Sequence, residues 1–137
     1  MAITHLADTS VLTRFGSLSV RQVLEPLVQL GAVGRAGISD LEIGFSARCS
    51  EEWDELTMAL DVMALIPITS EHFFRARQVQ RLLAAKGLRG RKIPDLLIAA
   101  AAEERGLIVF HYDADFDHIA QVTGQPVEWI VPRGSIN

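Results

Sequence analysis

Two hydrophobic periods alternate along the chain. Short apolar runs at Ile3 to Ala7, Leu65 to Ile68, Leu107 to Phe110 and Val127 to Val131 have the length of buried strands. Ala32 to Gly37, small and weakly patterned, is read as one more strand. The stretches between carry helical signals. Asp8-Thr9-Ser10 starts a short helix from Val11 to Phe15, stopped by Gly16. Val20, Val23, Leu24, Leu27 and Val28 mark the next helix, which Pro26 is expected to kink. Ser39-Asp40-Leu41-Glu42 has the spacing of a capping box and opens a helix containing Leu41, Ile43, Phe45 and Ala47. Trp53, Leu56, Leu60 and Met63 give the following helix its buried stripe. Thr69-Ser70 opens a long helix with Phe73, Phe74, Val79, Leu82 and Leu83 at apolar positions, and Gly87 to Lys92 form a loop. Pro94 suits the first turn of a helix whose inner face is Leu96, Leu97, Ala100 and Ala101. Phe116 to Val122 is a brief helix before the last strand. Strands alternate with helices and no tight hairpin signal appears, which predicts an α/β protein with a mostly parallel sheet covered on both faces. Residues 1–137 are read as one domain.

Composition narrows the setting. Hydrophobic residues make up 49% of the chain, an ordinary share for a compact protein. No apolar run approaches the roughly 18 to 20 residues of a membrane span. Met1-Ala2-Ile3-Thr4-His5 has neither the basic start nor the apolar run of a signal peptide, so a cytoplasmic location is expected. The one cysteine, Cys49, excludes an internal disulfide and is read as a buried small hydrophobe. A net charge of −4 argues by itself against a nucleic-acid partner. The charges are segregated, however. Cys49 to Phe74 holds six acids and no Lys or Arg, whereas His72 to Pro94 holds Arg75, Arg77, Arg81, Lys86, Arg89, Arg91 and Lys92 and no acid. Two solvated helix faces of opposite sign would look the same.

The chemistry gathers where strands stop. Leu107-Ile108-Val109-Phe110 runs into His111-Tyr112-Asp113-Ala114-Asp115, and continued strand geometry would aim His111, Asp113 and Asp115 to one side. Asp8 stands at the end of the first strand, and Glu42 and Asp95 in the first turns of helices. In an open parallel sheet all these positions lie along the carboxyl edge, where ligands bind. Each acid alone is explained by capping, which contributes roughly 0.3 to 2 kcal/mol. Two carboxylates 4 Å apart repel by about 4 kcal/mol at an effective dielectric of 20, so capping does not offset a cluster. Protonation or a divalent cation must relieve it, and oxygen ligands suit Mg2+ or Mn2+. Lys86, Arg89, Arg91 and Lys92, directly before Asp95, are expected at the rim of the same crevice. There they would meet the flanking phosphates of an anionic substrate. His5, His72 and His118 have no evident partners and read as structural or surface residues. His111 reads as ordinary packing beside the site in preference to a ligand.

Asp8-Thr9-Ser10-Val11-Leu12, Ile38-Ser39-Asp40-Leu41-Glu42, Pro94-Asp95-Leu96-Leu97-Ile98-Ala99-Ala100 and Asp113-Ala114-Asp115-Phe116-Asp117 together resemble the four acidic blocks of PIN-domain ribonucleases. The likeness is greatest to VapC-type toxins of bacterial toxin–antitoxin pairs. It covers nearly the whole chain in order and spacing. The resemblance implies a three-layer α/β/α sandwich and Mg2+- or Mn2+-dependent cleavage of RNA. It also implies a homodimer, and a partner antitoxin of the VapB type that inserts a segment into the acidic groove. By position, Asp8, Glu42, Asp95 and Asp113 match the family's catalytic and metal-binding quartet, with Asp115 a common fifth. Many members have Thr or Ser where this chain has His111. Thr9 and Ser10 fall where hydroxyl or N–H groups would orient the scissile phosphate, although capping explains them equally well.

Two rival readings use the same residues. A haloacid-dehalogenase-like or receiver-like phosphate enzyme also carries aspartates after a strand, but on a first strand with most of the domain following. A catalytically silent binding module would sequester a partner, and would have no reason to tolerate repulsion within a complete set of acids.

Overall fold

A computed structural model describes residues 2–88 and 92–137. The order is β1 (His5–Ala7), α1 (Thr9–Leu12), α2 (Leu18–Gln29), β2 (Val33–Ala36), α3 (Gly37–Gly44), α4 (Ser50–Met58), a 3₁₀ turn (Ala59–Val62), β3 (Ala64–Ile66), α5 (Ser70–Ala85), α6 (Ile93–Arg105), β4 (Ile108–His111), α7 (Asp115–Thr123) and β5 (Val127–Trp129). The strands form one sheet in the order β3-β2-β1-β4-β5, and every pair is parallel.

Alternation along each strand divides the core into two layers. Leu6 and Val109 pack with Val79, Leu83, Ile98 and Phe116 of α5, α6 and α7. Their neighbours Ala7 and Phe110 pack on the opposite side with Val11, Leu12, Val20 and Leu24 of α1 and α2. The expected three-layer sandwich with its parallel sheet is therefore present. From β1 the chain moves to β2 on one side and returns as β4 on the other. Ala7 lies in register with Phe110, so the segments leaving β1 and β4 begin side by side. Such a reversal opens a crevice at the carboxyl edge of a parallel sheet.

α5 and α6 run antiparallel. Arg75 donates from Nε to Glu103 at 2.7 Å, and His72 Nε2 lies 2.9 Å from Glu104, joining the start of α5 to the end of α6. Gly106, at φ 67°, supplies the left-handed cap that ends α6. That cap turns the chain into β4 and leaves the first turn of α6 at the crevice.

Several expectations are corrected. α3 begins at Gly37 directly from β2, with Ala36 as its N-cap, so Ser39 and Glu42 form no capping box. Ser39 is fully buried and faces inward, which puts Leu41 and Phe45 on the outer stripe; Phe45 is 91% exposed. Trp53 and Leu56 are also partly exposed, although Leu60 and Met63 are buried as expected. On α5 the buried stripe is His72, Ala76, Val79 and Leu83, which leaves Phe73 and Phe74 in solvent. His72 is not idle: its Nδ1 accepts the Thr69 N–H at 2.9 Å and completes the helix cap. Cys49 is exposed, not buried, because it precedes α4 as its N-cap residue.

Candidate functional site

Four chain segments converge at the crevice. Asp8 caps α1, its Oδ2 accepting the Ser10 N–H at 2.9 Å. Its other oxygen, Oδ1, is buried and has no partner among the described residues. Asp95 sits in the first turn of α6, only 5% exposed, and its Oδ2 is likewise buried without a partner among those residues. Capping thus accounts for half of Asp8 and leaves Asp95 unexplained. Asp113 follows β4, where its Oδ1 accepts the Asp115 N–H and its Oδ2 accepts from Lys92 Nζ, each at 2.9 Å. Asp95, Asp113 and Asp115 each offer a carboxylate oxygen within 4.8 Å of the others. Asp8, Glu42, Asp95 and Asp113, together with Thr9, Ser10 and Arg14, line a cavity of about 230 Å3.

Glu42 enters from a different direction than its sequence context suggested. It lies one turn beyond Ser39 on the inner face of α3, and Thr9 holds both: Thr9 Oγ1 donates to Glu42 Oε1 at 2.7 Å and lies 2.8 Å from Ser39 Oγ. Arg35 anchors the same helix through both nitrogens of its fork, at 2.9 and 3.2 Å from Asp40. Ser10 Oγ accepts the Tyr112 N–H at 2.9 Å and so ties the start of α1 to the end of β4. The hydroxyls of Thr9 and Ser10 therefore assemble the site as well as lining it.

The electrostatics follow from this crowding. Burial pushes the Asp95 carboxyl up, and the charges of Asp8, Asp113 and Asp115 add to the push, to about 8 despite the opposing Lys92. Burial likewise raises Asp8, with Glu42 adding to it against the Ser10 and Thr9 hydrogen bonds. Burial acts upward on Asp113 too, but the Asp115 N–H and the Lys92 ammonium outweigh it and hold that carboxyl below its ordinary range. Lys92, expected at the rim of this crevice, lines the cavity there; its ammonium meets Asp113 at 2.9 Å while the side chain stays 65% exposed. Of the other expected rim cations, Lys86 is the exposed C-cap residue of α5, and Arg89 and Arg91 lie outside the described residues.

Strand geometry does not persist past His111, so His111, Asp113 and Asp115 do not share one strand face. The chain turns at Tyr112, and Asp115 opens α7. An Asx turn, not strand alternation, brings Asp113 and Asp115 together. His111 is fully buried, with ring centroids 5.2 Å from Phe116 and 4.9 Å from Trp129. The ring packs beside the site, and its Nδ1 accepts the Asp113 N–H at 3.3 Å. Arg14 and Tyr112 were missed by sequence reasoning. A polar residue four positions after Ser10 was the only available signal for Arg14, and nothing in the sequence marks Tyr112.

The PIN domain family model matches residues 6–122. This chain belongs to the PIN-domain family. Within it, the chain is 58% identical over 137 residues to ribonuclease VapC51 of Mycobacterium tuberculosis, covering 100% of both sequences. Among solved structures it matches VapBC from Salmonella typhimurium, determined bound to DNA, with a TM-score of 0.79 and 15% identity. That match covers 94% of this chain and 99% of the other. It matches VapBC-5 of Mycobacterium tuberculosis, a member of the VapBC family of toxin–antitoxin systems, with a TM-score of 0.63. There the identity is 26%, over 93% of this chain and 95% of that one. The match sets aside the haloacid-dehalogenase-like and receiver-like readings. Their aspartate motif belongs to a first strand, whereas here it follows β4.

Proposed function

We propose that this chain is a toxin of the VapC type, an endoribonuclease that hydrolyses RNA phosphodiester bonds with the help of Mg2+ or Mn2+. The observation that carries this reading is the pair of buried oxygens, Asp8 Oδ1 and Asp95 Oδ2, that have no partner among the described residues and lie beside Asp113 and Asp115. An unsatisfied buried acceptor costs about 1 to 3 kcal/mol, more when charged, and a fold tolerates two together when something completes them. A hard divalent cation fits this oxygen-only donor set. Asp95, Asp113 and Asp115 would hold it, with Asp8 and Glu42 completing the acidic wall. When bound, such an ion offsets the charge of the phosphodiester and makes a water molecule acidic enough to attack phosphorus.

The chain's own residues supply the rest. Asp8 or Asp95 accepts the proton of the attacking water, since each has an oxygen engaged by no hydrogen bond. Thr9 fixes Glu42, and the Thr9-Ser10 turn faces the scissile phosphate at the start of α1. Lys92 keeps Asp113 ionised and occupies its Oδ2, which an ion would have to take over. No Ser, Cys or His is needed as a covalent nucleophile.

A VapB-type antitoxin partner, a homodimer and a cytoplasmic location belong to the same reading. The names of the solved VapBC complexes support the partner. An apolar cavity of about 1010 Å3, lined by Leu12, Phe15, Val28, Ile43 and Met63, adjoins the acids through Thr13 and Glu42 and offers such a partner apolar contact. The test is incubation of the purified protein with total RNA in Mg2+, Mn2+ or excess chelator, with the new ends mapped. Cuts that need the metal and vanish in Asp95→Asn support the proposal. Equal cutting in chelator, or by the variant, refutes it. A silent binding module would bind Mn2+ poorly by calorimetry and leave RNA intact.

A further inference from the structure

A second cavity of about 480 Å3 meets the acidic one at Thr13 and Arg14, which line both. Its remaining wall is Gly16 and Ser17 with Ser135, Ile136 and Asn137 of the tail after β5, and no Asp or Glu lines it among the described residues. Arg14 spans the junction in a fixed pose. Its Nη1 donates to Ser10 O at 2.7 Å and its Nε to Asn137 O at 2.8 Å. The guanidinium carbon lies 4.8 Å above the Tyr112 ring. Tyr112 in turn fastens the tail: its hydroxyl donates to Ile136 O at 2.8 Å and accepts the N–H groups of Gly134 and Ile136 at 3.0 and 3.2 Å.

Among the described residues, no Asp or Glu side chain pairs with Arg14, the cation facing Asp95 and Asp113 is Lys92, and Arg14 Nη2 has no protein partner. A guanidinium held by two backbone oxygens and one ring, beside a cluster of acids but not joined to it, has its charge available to a ligand. The neighbouring apolar cavity is the poorer path for an anionic strand, since Glu25 and Glu42 line it.

We propose that the groove over Thr13, Arg14, Ser17 and Ser135 is an extension subsite for the RNA strand beside the scissile phosphate. Arg14 contacts the adjacent phosphate there, and Tyr112 is a positioning residue that acts through the tail. This rests on the nuclease reading. A guanidinium fork matches phosphate oxygens, and the hydroxyls of Thr13, Ser17 and Ser135 suit the sugar-phosphate edge.

The test is binding of a labelled single-stranded RNA to the Asp95→Asn chain across a salt series, with Arg14→Ala, Arg14→Lys and Tyr112→Phe added singly. Arg14→Ala is expected to weaken binding about tenfold, as for one lost charge-assisted contact. The salt slope should fall in magnitude by about 0.7, one phosphate's worth on a single strand. Arg14→Lys should keep the slope, and Tyr112→Phe should weaken binding by roughly threefold, a smaller loss because the cation itself remains. Mn2+ affinity by calorimetry, measured with Asp95 intact and each of the three substitutions made alone, should stay within about twofold, since none of them is a ligand. Shortening the RNA on one side of the cut, but not the other, should erase the Arg14→Ala effect. An unchanged slope in Arg14→Ala overturns the inference, as does a parallel loss of Mn2+ affinity. Loss of antitoxin binding with RNA binding intact assigns the groove to the protein partner and overturns it too. If the unmodified chain neither binds nor cuts RNA, the nuclease reading falls and takes this inference with it. If it cuts RNA and only the Arg14 slope fails to move, this inference falls alone.

Discussion

Replacing Asp95 by Asn separates a ligand from a structural cap. Asp95 is held at about 8 in the metal-free fold, against 3.8 ordinarily. Below about pH 4 both folded and unfolded chains keep the proton, and the group is neutral to stability. Between about pH 4 and 8 the unfolded chain releases it while the folded chain holds it, so the metal-free protein loses stability as pH rises through that window. Above about 8 both states are ionised and the loss is complete. At about 1.36 kcal/mol per pH unit, the cost at pH 7 approaches about 4 kcal/mol. That is an upper limit, because the cavity opens to water and its side chains can turn outward when charged. An Asn does not titrate, so Asp95→Asn should raise metal-free stability at pH 8 by about 1 to 3 kcal/mol, or roughly 3 to 10 °C in Tm. RNA cleavage should fall by at least about 100-fold. Thermal melts of both chains in excess chelator, from pH 5 to 9, are the assay. The gap between the curves should widen with pH up to about 8 and then stay level. A variant that melts below the parent at pH 8, or a gap independent of pH, would refute the account and make Asp95 chiefly a cap of α6.

Three further outcomes can be checked. Lys92→Gln frees Asp113 Oδ2, so Mn2+ should bind several-fold more tightly by calorimetry, while metal-free stability falls by no more than about 1 kcal/mol because the pair is exposed. His72→Ala removes the Thr69 cap and the contact with Glu104, and chemical denaturation should show a loss of about 1 to 2 kcal/mol without change in Mn2+ affinity. A Cβ on Gly44 would run into the Trp53 ring, so Gly44→Ala should displace the indole and shift its fluorescence, with about 1 to 3 kcal/mol of destabilisation.

The layers and the acids were legible in the sequence because both depend on short-range patterns. An apolar run followed by Asp8 or Asp113 marks a strand and its carboxyl end, and Pro94 beside Asp95 marks a helix start. What was not legible depends on where helices turn their faces and on contacts between distant residues. Ser39 and Glu42 share a helical face with each other, but only the folded position of Thr9 reveals why. Phe45, Phe73 and Phe74 read as core because an aromatic residue does not report which stripe of its helix is buried. The Asx turn at Asp113 replaced the strand alternation inferred from His111 onward, since one side chain bonding one N–H is enough to end a strand. Arg14 and the tail residues are separated by more than a hundred positions, and no local pattern links them.

The pairing of β1 with β4 also governs when the site can exist. Asp8 leaves β1 beside Phe110, whose carbonyl accepts the Asp8 N–H at 2.9 Å, so the earliest acid in the chain takes its place against a strand made after helices α1 to α6. Closing so long a loop is among the slow steps of folding a parallel sheet. A nascent or truncated chain lacking β4 carries Asp8, Glu42 and Asp95 but neither the strand that seats Asp8 nor Asp113 and Asp115. The site is thereby incomplete until β4 has been made and has paired with β1.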